Sequence, residues 1–128
     1  MAVTCHIDPG KRRMVGLAAG TLDENDLFAF QQQSGALPDY DAILDGSAVE
    51  DLQDVNLFNL KRLAAVAAAM DVPGQPVKLA IVAPRDLFFG LGRMYESIRE
   101  GNPRTSRKVG VFHTRAEAES WLDASPEE

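Results

Sequence analysis

One cysteine and two histidines in 128 residues leave little material for cross-linking or metal chemistry. Cys5 alone excludes an internal disulfide framework and any multi-cysteine zinc site, and it points to a reducing compartment. Long hydrophobic runs are missing too: the longest, Leu63 to Met70, falls far short of the roughly 20 residues that cross a bilayer. The opening Met1-Ala-Val-Thr-Cys-His6 carries no basic-then-apolar signal pattern, so the expected location is the cytoplasm. Positive charge is scarce. Lysine and arginine number 13 against 19 aspartates and glutamates, a net charge of −6, so no nucleic-acid partner is expected. What remains, 45% hydrophobic and 25% charged residues, suits one soluble domain with a single core. That domain is expected to span 1–124, with a tail over 125–128 that frays.

The charge that is present is unevenly placed. Between Asp23 and Asp54 there are nine acidic residues and no lysine or arginine. From Arg85 to Arg115 seven basic residues outnumber three acidic ones. Such runs are most simply solvated faces, and the alternative is self-association or an anionic ligand.

Val3, Cys5 and Ile7 alternate with Thr4, His6 and Asp8, the period of a strand with one buried face, which turns His6 outward. Asp8-Pro9-Gly10-Lys11 predicts a type II turn, with Pro9 fixing φ and Gly10 supplying a positive one, into a second strand near 13–19. Thr21 and Glu24 form a capping-box pattern that opens a helix running to about Ser34. A short strand from Tyr40 to Asp45 and a loop from Gly46 to Asp54 follow. The next helix spans about Asn56 to Met70 and buries Leu60, Leu63, Ala67 and Met70. Val77 to Ala83 is nearly continuously apolar, which marks a central parallel strand covered on both faces.

Pro84 suits a first helical position, with Asp86 at the positive end of the helix dipole. The third helix is expected to run to about Glu100 and to bury Leu87, Leu91, Met94 and Ile98. A loop over 101–107 leads to a strand with Val109, Val111 and Phe112. Thr114 and Glu117 form a second capping box, opening a last helix with Ala118, Trp121 and Leu122 inward. The fold class is α/β: a single compact domain, ββαβαβαβα, with a mixed, mostly parallel sheet and helices packed on it.

Catalytic motifs are absent. No phosphate loop, dinucleotide fingerprint or nucleophile elbow is present, so neither an enzyme activity nor a cofactor is expected, and no metal site. Ligands of open α/β sheets favour the carboxyl ends of parallel strands, which makes Asp45, Ser47 and His113 candidates for a strand-end crevice, beside Arg85 and Asp86. Residues of these types also cap and close elements, and that is the stronger explanation of them. The third helix is the most unusual segment, because Gly90 and Gly92 each cost roughly 1 kcal/mol relative to alanine in a helix. Phe88, Gly92 and Tyr95 share one flank of its expected stripe, and Phe89, Arg93 and Glu96 share the face expected toward solvent. Arg85, Phe88, Phe89, Arg93 and Tyr95 are therefore the candidate contacts for a ligand or partner.

Two segments carry a resemblance. Ile81-Val-Ala-Pro-Arg-Asp-Leu-Phe-Phe-Gly-Leu-Gly-Arg-Met-Tyr-Glu96 and Val111-Phe-His-Thr-Arg-Ala-Glu-Ala-Glu-Ser-Trp-Leu122, with the element order over nearly the whole chain, resemble the bacterial SpoIIAA-like (STAS/Sec14-type) proteins. The better-known relatives in that class are anti-sigma-factor antagonists with a phosphorylatable serine at the start of the helix after the third strand. Here Gln53-Asp54-Val55-Asn56 stands at that place, and Val55 takes the serine's position, so the familiar phosphorylation cycle is not implied. Relatives of the Sec14 type use a movable helix to gate an apolar cavity, and by analogy the third helix is the gate. The reading that follows is a non-enzymatic regulatory or interaction domain that self-associates as a homodimer through the third helix. The alternative is a small carrier or sensor of an apolar or anionic amphiphile, with Arg85 or Arg93 at the head group and association with a membrane surface.

Overall fold

A computed structural model describes residues 2–124, so the expected fraying of 125–128 lies outside the described residues. Strands β1 (Val3–Asp8) and β2 (Arg13–Asp23) form the antiparallel hairpin. Its loop is not the type II turn expected. The amide of Arg12 donates to the Pro9 carbonyl, the amide of Lys11 donates to Asp8, and the left-handed residue is Arg12 at φ 52°. A loop of four residues puts the left-handed step where the chain re-enters the sheet, at its last residue, and not at Gly10. Ile7 is exposed despite its alternation with polar neighbours, because β1 is the sheet edge and lies beyond the helical cover at that end.

Both β2 and the third strand, β3 (Asp41–Gln53), run well past their expected ends. The stretch read as a loop after Asp45 pairs in parallel with β2 as far as Gln53, across two register shifts. β3 meets β4 (Lys78–Val82) only over Ala42 to Asp45, so the rest of β2 and β3 overhangs the sheet. Thr21 therefore stays in a strand, and the capping box of α1 (Glu24–Gly35) is built by Asp23 and Asp26 instead of Thr21 and Glu24. Asn56 caps α2 (Leu57–Met70), close to expectation.

The strands lie in the order β1-β2-β3-β4-β5, with β5 at Lys108–Phe112. Three parallel crossovers each step one strand in the same direction, and crossovers of one hand then put their helices on one face. Leu44, Leu79, Ile81, Val109 and Val111 form that face's core with α1, α2 and α3 (Asp86–Glu100). The opposite face is left to α4 (Arg115–Asp123), where Ala118 and Leu122 cover Ile43, Ala80 and Val82. β4 is buried throughout, as a strand covered on both sides must be. Thr114 and Glu117 form the capping box read from the sequence.

The third helix turns a different face inward from the one expected. Phe88, Gly92, Tyr95 and Arg99 are its buried positions, whereas Leu87 is 68% exposed and Met94 is also exposed. The reason lies at Gly92. A Cβ there would sit 3.0 Å from Val111 Cγ1 and 3.7 Å from Ile81 Cγ2, so the missing side chain lets the helix come down onto β4 and β5. Gly90 meets nothing within 4 Å and has no such purpose. Pro84 precedes Arg85, the N-cap residue, so it stands just outside the helix, with Asp86 in the first turn.

Candidate functional site

The one-residue shift of α3 shapes what lies under it. Phe88, Leu91, Gly92 and Tyr95 roof a cavity of about 50 Å³ between the helices and the sheet. Leu44, Leu79 and Ile81 form its floor, Leu60 and Leu63 of α2 one wall, and Phe30 and Gln31 of α1 another. Leu27, Val55 and Leu91 are only half-buried and stand at its open side. Apart from Gln31 and the Tyr95 hydroxyl, the lining offers no polar side-chain group.

Gln31 and Tyr95 belong to a buried polar chain. Gln31 Nε2 donates to the Tyr95 oxygen at 2.8 Å, and Arg99 Nη1 donates to the same oxygen at 2.9 Å. Arg99, 2% exposed, pairs with Asp71 at 2.7 Å, and that same carboxylate oxygen accepts from the backbone amides of Ser106 and Arg107. The Arg107 side chain donates to the carbonyls of Tyr40 and Leu37. Burial pushes the Tyr95 phenol above its ordinary value, with Arg99 opposing, so it stays protonated at neutral pH. Burial lowers Arg107, with Asp71 opposing. This chain anchors the C-terminal turns of α3 to the end of α2 and the loop before β5. Sequence reasoning missed Gln31, Asp71, Arg99 and Arg107. The signal for Arg99 was present: it lies four residues after Tyr95 and seven after Gly92, on the same helical face.

The expected strand-end crevice is only half assembled. Ser47 donates to Asp45 twice, from its amide at 2.9 Å and its hydroxyl at 2.6 Å, and Arg115 adds a bond at 3.0 Å. Partial burial alone would raise the Asp45 carboxyl. Its bonds to Ser47 and to Arg115 outweigh that and hold it below the usual carboxylate range. A carboxylate so occupied is a weak base, and it does not activate Ser47. His113 is not brought to this pair: its ring stacks on Phe89, with centroids 4.0 Å apart. Among the described residues no hydrogen bond links His113 to either Asp45 or Ser47.

The remaining candidates divide between inside and outside. Phe88 and Tyr95 are buried against the protein's own core, out of reach of a partner surface but on the cavity wall. Phe89 is half-buried on His113. Arg85 donates to the Glu50 carbonyl at 3.1 Å, tying α3 to the overhanging part of β3, and Arg93 pairs with Glu96 on the exposed side. Neither arginine lines the cavity, so neither is placed for an occupant's head group there. Among the described residues no group of three or more histidine, cysteine, aspartate or glutamate side chains is placed to hold a metal ion, and no helix is long and apolar enough to cross a membrane.

No family model and no curated protein matches the chain. Among solved structures it is similar to an uncharacterized protein from the DUF3478 family with a SpoIIAA-like fold, from Shewanella loihica PV-4. The two share 15% identity at a TM-score of 0.58, over 94% of this chain and 92% of that one. The domain has the SpoIIAA-like fold.

Proposed function

We propose that this SpoIIAA-like domain is a non-enzymatic binding module for a small apolar amphiphile, held between α3 and the sheet. The observation that carries the reading is the cavity itself: an apolar space under a helix whose close seat depends on one glycine. The free volume is too small for a whole lipid, so an occupant would place one end inside and leave the rest between Leu27, Val55 and Leu91, or would displace α3 outward. Thermal shift against straight-chain alcohols and acids tests it. Binding to the folded state alone raises the melting temperature with ligand concentration. Leu60→Phe, which fills the cavity, is expected to abolish that rise while leaving the apo melt within a few degrees. A rise unaffected by Leu60→Phe would place the binding elsewhere and sink the reading.

The second reading, self-association through α3, is favoured by one observation: Leu87 stands exposed on the helix's first turn. Sedimentation of wild type and Leu87→Asp distinguishes it. A dimer that Leu87→Asp dissociates supports it, and a wild-type monomer at high concentration refutes it.

A further inference from the structure

We infer that β1 is a docking edge for a second copy of this chain, the two β1 strands pairing antiparallel so that two five-stranded sheets become one. This is independent of the binding reading above, and it uses a different surface from the Leu87 contact. Hydrogen bonding fixes which way the backbone of β1 points. The amide of Ala19 donates to the Ala2 carbonyl at 2.9 Å, and the register runs without a shift from Val3 opposite Ala18 to Asp8 opposite Arg13. Backbone groups alternate sides along an antiparallel strand, so Thr4, His6 and Asp8 turn their amides and carbonyls to β2, and Val3, Cys5 and Ile7 turn theirs outward. No strand lies on that side. Such a row is a template for another strand, and proteins guard it with lysine, proline or a bulge. β1 carries none of these over its six residues, whereas β5, the other edge of the sheet, opens on an exposed Lys108.

The edge is complementary to itself. One antiparallel register uses all the outward residues of both strands: each Cys5 stands opposite the other, and each Val3 opposite an Ile7, with two backbone bonds in every such pair. On one face this lays Ile7, 56% exposed in the single chain, against the second copy's Val3. On the other face the exposed Thr4 stands opposite the exposed His6, a hydroxyl beside an imidazole. Charge selects the same occupant. A chain of net charge −6 repels a second copy over most of its surface, but the one carboxylate of β1, Asp8, lies at the strand's end. The pairing keeps the two Asp8 residues about 20 Å apart, beyond the screening length in physiological salt. A two-fold contact of this kind uses up the edge, so the assembly closes at two copies. Six residues a side fall well short of the roughly 20–30 of a stable interface, so the dimer is a reversible one that forms at high concentration.

Amide hydrogen exchange of the whole protein at about 10 μM and about 1 mM, with sedimentation of the same samples, tests this. The amides of Val3, Cys5 and Ile7 are expected to exchange about tenfold more slowly at the higher concentration, in step with a rise to the dimer mass, while those of Thr4, His6 and Asp8, already bonded to β2, change far less. Ile7→Lys, which plants a charge against the second copy's Val3, should keep the protein monomeric and remove the change. Thr4→Lys, on the other face of the strand, should do the same if Ile7→Lys does not fold. Leu87→Asp should leave the dimer untouched. A wild-type monomer at the higher concentration overturns the inference. So does a dimer in which Val3, Cys5 and Ile7 exchange as fast as in the monomer, and if Leu87→Asp dissociates that dimer the contact belongs to α3 instead.

Discussion

The Asp71–Arg99 pair offers a test of how this domain is held together, through a double-mutant cycle of Asp71→Ala and Arg99→Met. One oxygen of Asp71 accepts from Arg99 at 2.7 Å, Ser106 at 2.8 Å and Arg107 at 3.0 Å, all in a buried setting. Removing one partner of a buried ion pair costs about 3–5 kcal/mol, mostly because the other charge is left without compensation. Asp71→Ala also strands two backbone donors, so a loss of about 4 kcal/mol or more is expected. Against a total of about 6–19 kcal/mol for 128 residues, that is a large fraction. With a urea slope near 2 kcal/mol per molar, the midpoint should fall by about 2 M. Arg99→Met also loses the bond to Tyr95 and should cost about 3 kcal/mol, but the double variant should be about 2 kcal/mol better than the sum of the singles. It will not recover fully, because the amides of Ser106 and Arg107 still lack their acceptor. Singles that add to within about 0.5 kcal/mol would refute the claim that the pair is coupled.

Three further outcomes follow from local geometry. Gly90→Ala should stabilise by about 0.5–1 kcal/mol, since it faces open space within a helix, whereas Gly92→Ala should destabilise against Val111. Thermal melts of both check this, and a shared sign would contradict the assigned face of α3. Asp45 titrates below its ordinary value of 3.8 when folded, so its ionised form stabilises the fold above that pH, and the contribution is lost as pH falls through the lower folded value. Urea unfolding of Asp45→Asn should therefore show a cost at neutral pH that shrinks at the acid end, and an equal cost at both would refute the assignment. Thr114→Ala, which removes one half of the α4 capping box, should cost about 1 kcal/mol by the same assay, and no change would mean the cap is not needed there.

The sequence was legible where one physical effect dominates. The order of elements, the double-sided burial of β4 and the cap at Thr114 follow from periodicity and capping chemistry, and all are present. It misled where two effects compete. On α3, counting apolar side chains selects Leu87, Leu91, Met94 and Ile98, yet close approach to the sheet favours the face with the smallest residue, Gly92. The overhang of β3 was hidden because its residues are polar and Gly-bearing, and only the extended partner β2 makes them a strand. The site was half legible for the same reasons. Phe88 and Tyr95 were singled out as contacts and lie on the cavity wall, while Gln31, Asp71 and Arg99 are polar residues whose burial depends on one another across 64 and 28 positions of chain.

The strand order, which follows the chain from β1 to β5, also governs how the domain can assemble. Each strand finds its neighbour immediately before it in sequence, so the sheet can grow by addition at one edge with short loop closures. Among the described side-chain bonds, those of α4 reach furthest back along the chain. The helix crosses back under β4 and β3, and its Asp123 bonds to Arg13 at 2.8 Å, a separation of 110 residues. Until it docks, Ile43, Ala80 and Val82 have no cover on their side of the sheet. The last helix is thus a closing latch, and a chain interrupted before it would carry an open apolar face of the kind that quality-control machinery recognises.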